Sequence, residues 1–136
     1  MSKIKVIPCS GIGKVYGLMA REAALQVTNV LSQDQAETVC LAYIVTGDDS
    51  AKEKVEGRTC ITIDGCPALC SLKSVEHAGG IVRAKYRAVD EMRNHRGKNA
   101  GSATALTEDG WLIVDEFAEK ISAKVAELVE EEQKNG

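Results

Sequence analysis

The sequence predicts an α/β fold of three layers, a mainly parallel sheet of about four strands flanked by helices. Three observations predict it. Short runs rich in β-branched residues alternate along the chain with segments of helical period, the order expected of a parallel sheet with crossover helices. Turn signals punctuate them, at Gly47-Asp48, Asp64-Gly65 and Gly79-Gly80. No apolar run approaches the roughly 18–20 residues that a membrane span needs.

The elements follow in order. Residues 3–7 alternate lysine with β-branched residues and read as a first strand, stopped by Pro8. Residues 9–13, Cys-Ser-Gly-Ile-Gly, form a turn whose glycines permit positive φ. Over residues 16–31, Leu18, Ala20, Ala24, Leu25, Val27 and Leu31 fit an amphipathic helix. Residues 38–45 are apolar and β-branched and read as a second strand. Whether Cys40 lies within it, or in a turn leading to a helical segment 41–44, is left open by the pattern. Residues 58–64 make a third strand with Ile61 and Ile63 on one face. Pro67 suits the first turn of a helix, where its missing N–H has no partner to lose, and that helix runs to about Ala78 before Gly79-Gly80. Residues 81–88 set Val82, Ala84, Tyr86 and Ala88 against Arg83, Lys85 and Arg87, a half-exposed strand. Residues 93–103 are polar loop. Val114, Phe117, Ala118, Ile121, Val125, Leu128 and Val129 form the cleanest helical stripe in the chain. Residues 129–136, with Glu130-Glu131-Glu132, read as a frayed, solvated tail. One domain over residues 1–136 is expected.

Composition bounds the function. With 136 residues, 44% hydrophobic and 27% charged, the chain has the make-up of an ordinary globular protein. A formal charge of −3 argues against bulk nucleic-acid binding, so no nucleic-acid partner is expected, and no membrane either. The N-terminus lacks the apolar stretch and cleavage signal of an exported chain, so a cytoplasmic location is expected. Five cysteines in a reducing compartment do not suggest a disulfide framework. They leave metal binding or thiol chemistry, beside the plainer reading of cysteine as a small buried hydrophobe.

Three strand-to-loop junctions deliver a cysteine: Cys9 after the first strand, Cys40 near the second and Cys66 after the third, with Cys70 four residues on. In a parallel sheet these thiols gather at one edge, where ligands of such folds are bound. Zinc held by thiolates brings sulfurs to about 3.8 Å of one another, given Zn–S bonds near 2.3 Å. Helical residues four apart have Cβ atoms about 5–6 Å apart. Cys66 as N-cap and Cys70 one turn inside the helix are thus expected to make half of a site. Cys60, within the third strand, reads as core. His77 lies about 10 Å along the helix axis from Cys70 and cannot share its ion unless the helix breaks. His95 falls in the basic loop and is not placed by the pattern.

The residues Pro8-Cys9-Ser10-Gly11, Cys40-Leu41-Ala42 and Ile63-Asp64-Gly65-Cys66-Pro67-x-x-Cys70 resemble the DGC domain family of small proteins, for which zinc binding has been proposed. The likeness runs from the first strand through Gly79. It implies a metal site made by Cys9, Cys40, Cys66 and Cys70, leaves Cys60 outside the shared pattern, and implies no reaction.

Other motifs are weaker. The stretch Cys9 to Lys14 lacks the arginine of a phosphatase loop, since Val15 stands in its place, and fails as a nucleotide loop because Pro8 and Val15 occupy the required glycine and hydroxyl positions. A loop in which Ser10, Gly11, Gly13 and Lys14 receive an anion survives as an expectation, beside a plain tight turn. Asp64 is expected to hold the cysteine loop by accepting backbone N–H bonds, or to back a metal ligand. Arg83, Lys85, Arg87, Arg93, Arg96 and Lys98 make a basic region that reads as a solvated face.

The expectation is therefore a zinc-binding protein with a four-cysteine site at the carboxyl edge of its sheet and no reaction assigned, its partners being the metal ion and an unidentified small molecule or protein. Iron or an iron–sulfur cluster is the alternative cofactor, since thiolates suit both. The alternative function is a thiol-dependent redox or sulfur-transfer enzyme working through one reactive cysteine.

Overall fold

The computed structural model describes residues 3–9, 15–65, 69–102 and 104–135. Four strands, β1 (Ile4–Pro8), β2 (Ala36–Glu37), β3 (Thr59–Asp64) and β4 (Ile81–Arg87), form one sheet in the order β2-β1-β3-β4. Every neighbouring pair is parallel. Between β1 and β2 run α1 (Val15–Gln26) and a π-helical extension, Val27–Leu31; between β2 and β3 come α2 (Leu41–Val45) and α3 (Asp49–Val55). Helix α4 (Cys70–His77) connects β3 to β4, and α5 (Ala88–Glu91), a 3-10 turn (Met92–His95) and the long α6 (Glu108–Asn135) complete the order. The chain steps outward from β1 to β2, then returns across β1 to β3 and continues to β4. Right-handed crossovers in opposite directions put helices on opposite faces, which gives the three layers.

One face packs α1 and α6 against Ile4, Val6, Ile61 and Ile63, with Met19, Val27, Phe117, Ile121 and Leu128 fully buried among them. The ring of Phe117 meets that of Tyr86 edge to face, with centroids 5.8 Å apart. On the other face Ile7, Cys60, Leu41, Ile44, Val55 and Val75 form a smaller cluster under α2, α3 and α4. Strand alternation explains the division, because Ile61 and Ile63 point one way and Cys60 the other.

Four expectations change in detail. The second strand is two residues long and ends before residue 38; Thr38 and Val39 are extended chain, and residues 41–45 are helical. Cys40 is the N-cap of α2, which settles its element. Helix α4 begins at Cys70, not near Pro67, because Leu69 stands before it in the left-handed conformation at φ 55°. The last helix keeps its geometry beyond residue 129 to Asn135, and side chains in that segment find partners: Glu131 pairs with Arg83 at 2.8 Å and Glu132 accepts a bond from Thr59. Lys5 is only 5% exposed; its strand is central and covered on both faces, and its ammonium pairs with Glu37. None of the described helices is long and apolar enough to cross a membrane.

Candidate functional site

The direction of strand addition reverses between the carboxyl ends of β1 and β3. Parallel sheets bind ligands at such points, because adjacent loops there turn to opposite faces and part. Cys9 directly follows β1, and Cys66 follows β3 by two residues. Cys66 itself lies outside the described residues, as do Ser10, Gly11, Gly13 and Lys14 of the proposed anion loop and Pro67. The remaining three cysteines of the expected site can be placed.

Cys9 is half-buried at the lip of β1. Its backbone N–H donates to the carbonyl of Ile63 at 2.8 Å, continuing the β1–β3 ladder by one step. Its Sγ accepts the backbone N–H of Gly65 at 3.2 Å. The sulfur thus lies against the residue that precedes Cys66. Gly65 is itself pinned: a Cβ there would stand 2.6 Å from the backbone nitrogen of Gly17 in α1. No side chain fits, so the loop leaving β3 lies directly on the first turns of α1.

The far end of that loop is fixed by Asp64. Its carboxylate is 1% exposed and accepts the N–H groups of Ser71 at 2.7 Å and Leu72 at 3.2 Å. Those are the second and third residues of α4, the donors that an N-cap side chain ordinarily satisfies. Asp64 does that work from the strand, which explains why the helix starts after Leu69 and needs no cap from residue 66. Ser71 is fully buried, and its hydroxyl donates to the Ile7 carbonyl of β1 at 2.7 Å. Burial pushes the Asp64 carboxyl above its ordinary value, against the lowering effect of the two N–H bonds. The turn-holding role expected of Asp64 is the one it fills. Ser71 was not singled out by the pattern; the signal available was a small hydroxyl one residue into the helix, seven after a strand-ending carboxylate.

Cys70 is exposed at the first residue of α4, beside the anchored Ser71. Cys70 was expected one turn inside the helix and is instead its first residue, since Leu69 before it is left-handed; Cys66, the other half of that expectation, lies outside the described residues. Cys40 is exposed and shares with Cys9 an open cleft of about 390 Å³, lined also by Pro8, Arg21, Leu25, Val39 and Leu41. A second cleft, lined by Tyr43, Asp48 and Lys54, also includes Cys40. Cys60 is fully buried, and desolvation pushes its thiol up to about 11, far from the thiolate that metal binding or nucleophilic work requires. His77 ends α4 and is exposed; His95 sits 2.7 Å from Glu116 of α6. Among the described residues no three His, Cys, Asp or Glu side chains form a metal-holding group.

Sequence comparison adds the family. The family model described as the DGC domain matches residues 5–110, a span that contains all four cysteines of the expected site and ends at the start of α6. No curated protein and no solved structure gives a match.

Proposed function

The chain belongs to the DGC domain family, and from that membership we propose that it holds one divalent metal ion, zinc, through Cys9, Cys40, Cys66 and Cys70. One observation carries the reading. Cys9 and Cys40, 31 residues apart in sequence, line one cleft beyond the carboxyl ends of β1 and β2, and the Cys9 sulfur rests on the residue next to Cys66. The donor chemistry fits the ion. Thiolates are its preferred ligands in structural sites, and an N–H directed at a sulfur, as from Gly65 to Cys9, is the kind of outer contact that orients such a ligand. Asp64 and Ser71 tie the end of β3 and the start of α4 together, so Cys70 stands beside an anchored residue.

With all four thiolates engaged the site is closed, and the bound ion supplies cross-linking free energy rather than an open position for substrate. The same thiolates suit iron or an iron–sulfur cluster. A cytoplasmic, reducing setting belongs to the reading, because oxidised cysteines could not bind.

Anaerobic purification, metal analysis and an absorption spectrum test it, together with the four single Cys→Ser variants. The expected result is about one zinc per chain, no visible cluster absorption, and metal content that falls at each of the four positions but not in Cys60→Ser. A colourless, metal-free protein with one fast-alkylating cysteine would instead favour a thiol enzyme. Metal content untouched by Cys9→Ser would end the shared-site reading.

A further inference from the structure

The two edges of the sheet differ. β2 closes one side with two residues, Ala36 and Glu37. β4 closes the other with seven, and no described strand pairs with its outer side. An edge of that length presents a row of N–H and C=O groups without ladder partners, a template for one more strand. Beside it lies a groove of about 300 Å³ between α4 and β4, lined by Leu72, Glu76, Val82, Arg83, Ala84 and Lys85. Helix α4 runs back against the strands, so Glu76 stands toward the start of β4 and Leu72 toward its end.

Charge is spread unevenly over this edge. Residues 83–98 hold six cations, Arg83, Lys85, Arg87, Arg93, Arg96 and Lys98, against Asp90 and Glu91, in a chain whose formal charge is −3. Arg83 pairs with Glu131 and Arg87 with Asp90, whereas Arg93 stands 3.7 Å from Asp90 and Lys85 pairs with no described carboxylate. Lys85, Arg93, Arg96 and Lys98 are all exposed. The positive surplus therefore lies along the second half of β4 and the turn that follows it.

We propose that β4 takes up an extended acidic segment of a partner protein as a fifth strand. Main-chain bonds along the open edge supply affinity, and the groove beside α4 selects the side chains on one face. On that face an apolar partner residue meets Leu72 and Val82, and an acidic one meets Lys85. A second copy of this chain is a poor occupant. β4 laid against β4 sets Arg83, Lys85 and Arg87 among one another, and like charges across a strand pair repel. Edge lysines guard a sheet against its own kind, but they attract a strand of the opposite charge. This surface stands whether or not the cysteines hold an ion.

The test uses the full chain and a fluorescent nine-residue peptide of alternating glutamate and valine, read by anisotropy and by amide hydrogen exchange. Binding is expected to slow exchange along β4 and to weaken as salt is added. The same peptide with lysine for glutamate should bind about tenfold more weakly. Of two acidic peptides methylated at alternate amide nitrogens, one set odd and one even, one should lose binding and the other keep it, since a single edge faces β4. Lys85→Glu, an exposed change, should lower affinity about tenfold, while Lys52→Glu on α3, the same change of charge, leaves it near wild type. Equal binding of acidic and basic peptides, identical behaviour of the two methylated peptides, or equal effects of Lys85→Glu and Lys52→Glu overturns the inference. So does displacement of the peptide by an oligothymidine of equal charge at equal strength, which marks a plain anion surface. Slow exchange along β4 in a self-associated chain without peptide overturns it as well.

Discussion

The two faces of the sheet are built for different ends. Under α1 and α6 the buried residues are almost all hydrocarbon, in one continuous cluster from Ile4 to Val129. Under α2, α3 and α4 the cluster is less than half as long in residues, and polar groups sit within it or at its rim: Thr62, Asp64, Ser71 and the Cys60 thiol are all at most 1% exposed. The Thr62 hydroxyl finds no partner among the described residues. Burying polar groups costs free energy that apolar packing must offset. The first face provides the stability on which the second face can afford to hold a carboxylate, a serine and two loop ends in fixed places.

The largest test of that division removes the centre of the apolar face. Phe117→Ala should cost about 3–5 kcal/mol in denaturant unfolding, whereas Val75→Ala beneath α4 should cost about half as much. Equal losses would break the contrast. A second test is alkaline pH. The Cys60 thiol stays protonated in the fold up to about 11, while unfolded it ionises near 9.0. Between those values the unfolded chain binds fewer protons, so stability falls as pH rises through the window, by up to about 3 kcal/mol. Cys60→Val should flatten that slope relative to wild type, and an unchanged slope would remove Cys60 as its source. Third, Asp64→Ala leaves the N–H groups of Ser71 and Leu72 unpaired and should cost about 1–3 kcal/mol. It should also speed alkylation of Cys70 in the metal-free protein, a readout that a purely global loss of stability would spread over Cys60 as well. The smallest effect belongs to the surface: Arg83→Ala, which breaks the exposed pair with Glu131, should cost about 0.2–1 kcal/mol and fade in high salt.

Much of this arrangement was legible in the sequence, for identifiable reasons. β3, β4 and α6 carry unbroken periods of two or 3.6, and the structure follows them. The parallel sheet followed from their alternation with helices, and it placed Cys9 and the β3–α4 loop on one edge. The failures occur where tertiary contacts outweigh local pattern. Residues 38–45 have strand composition, but Leu41 and Ile44 point into the small cluster at helical spacing, and burial there decides the conformation. Pro67 suggested a helix start that a strand residue, Asp64, moved downstream by satisfying the helix donors itself. The burial of Lys5 was not legible, because a sequence cannot show that a strand is covered on both sides. Gly17 left a trace, a glycine inside a helical pattern, whose reason is visible only once Gly65 lies against it.

That glycine contact has a consequence for how the molecule can vary. Helix α1 belongs to the hydrocarbon layer, yet its backbone at Gly17 touches the loop of the opposite chemistry with no side chain between them. Any atom added at residue 65 would act as a wedge and lever α1 away from its seat among Ile4, Val6 and Phe117. A redesign of the thiol loop would therefore be felt first as loosening of a layer that holds none of its ligands.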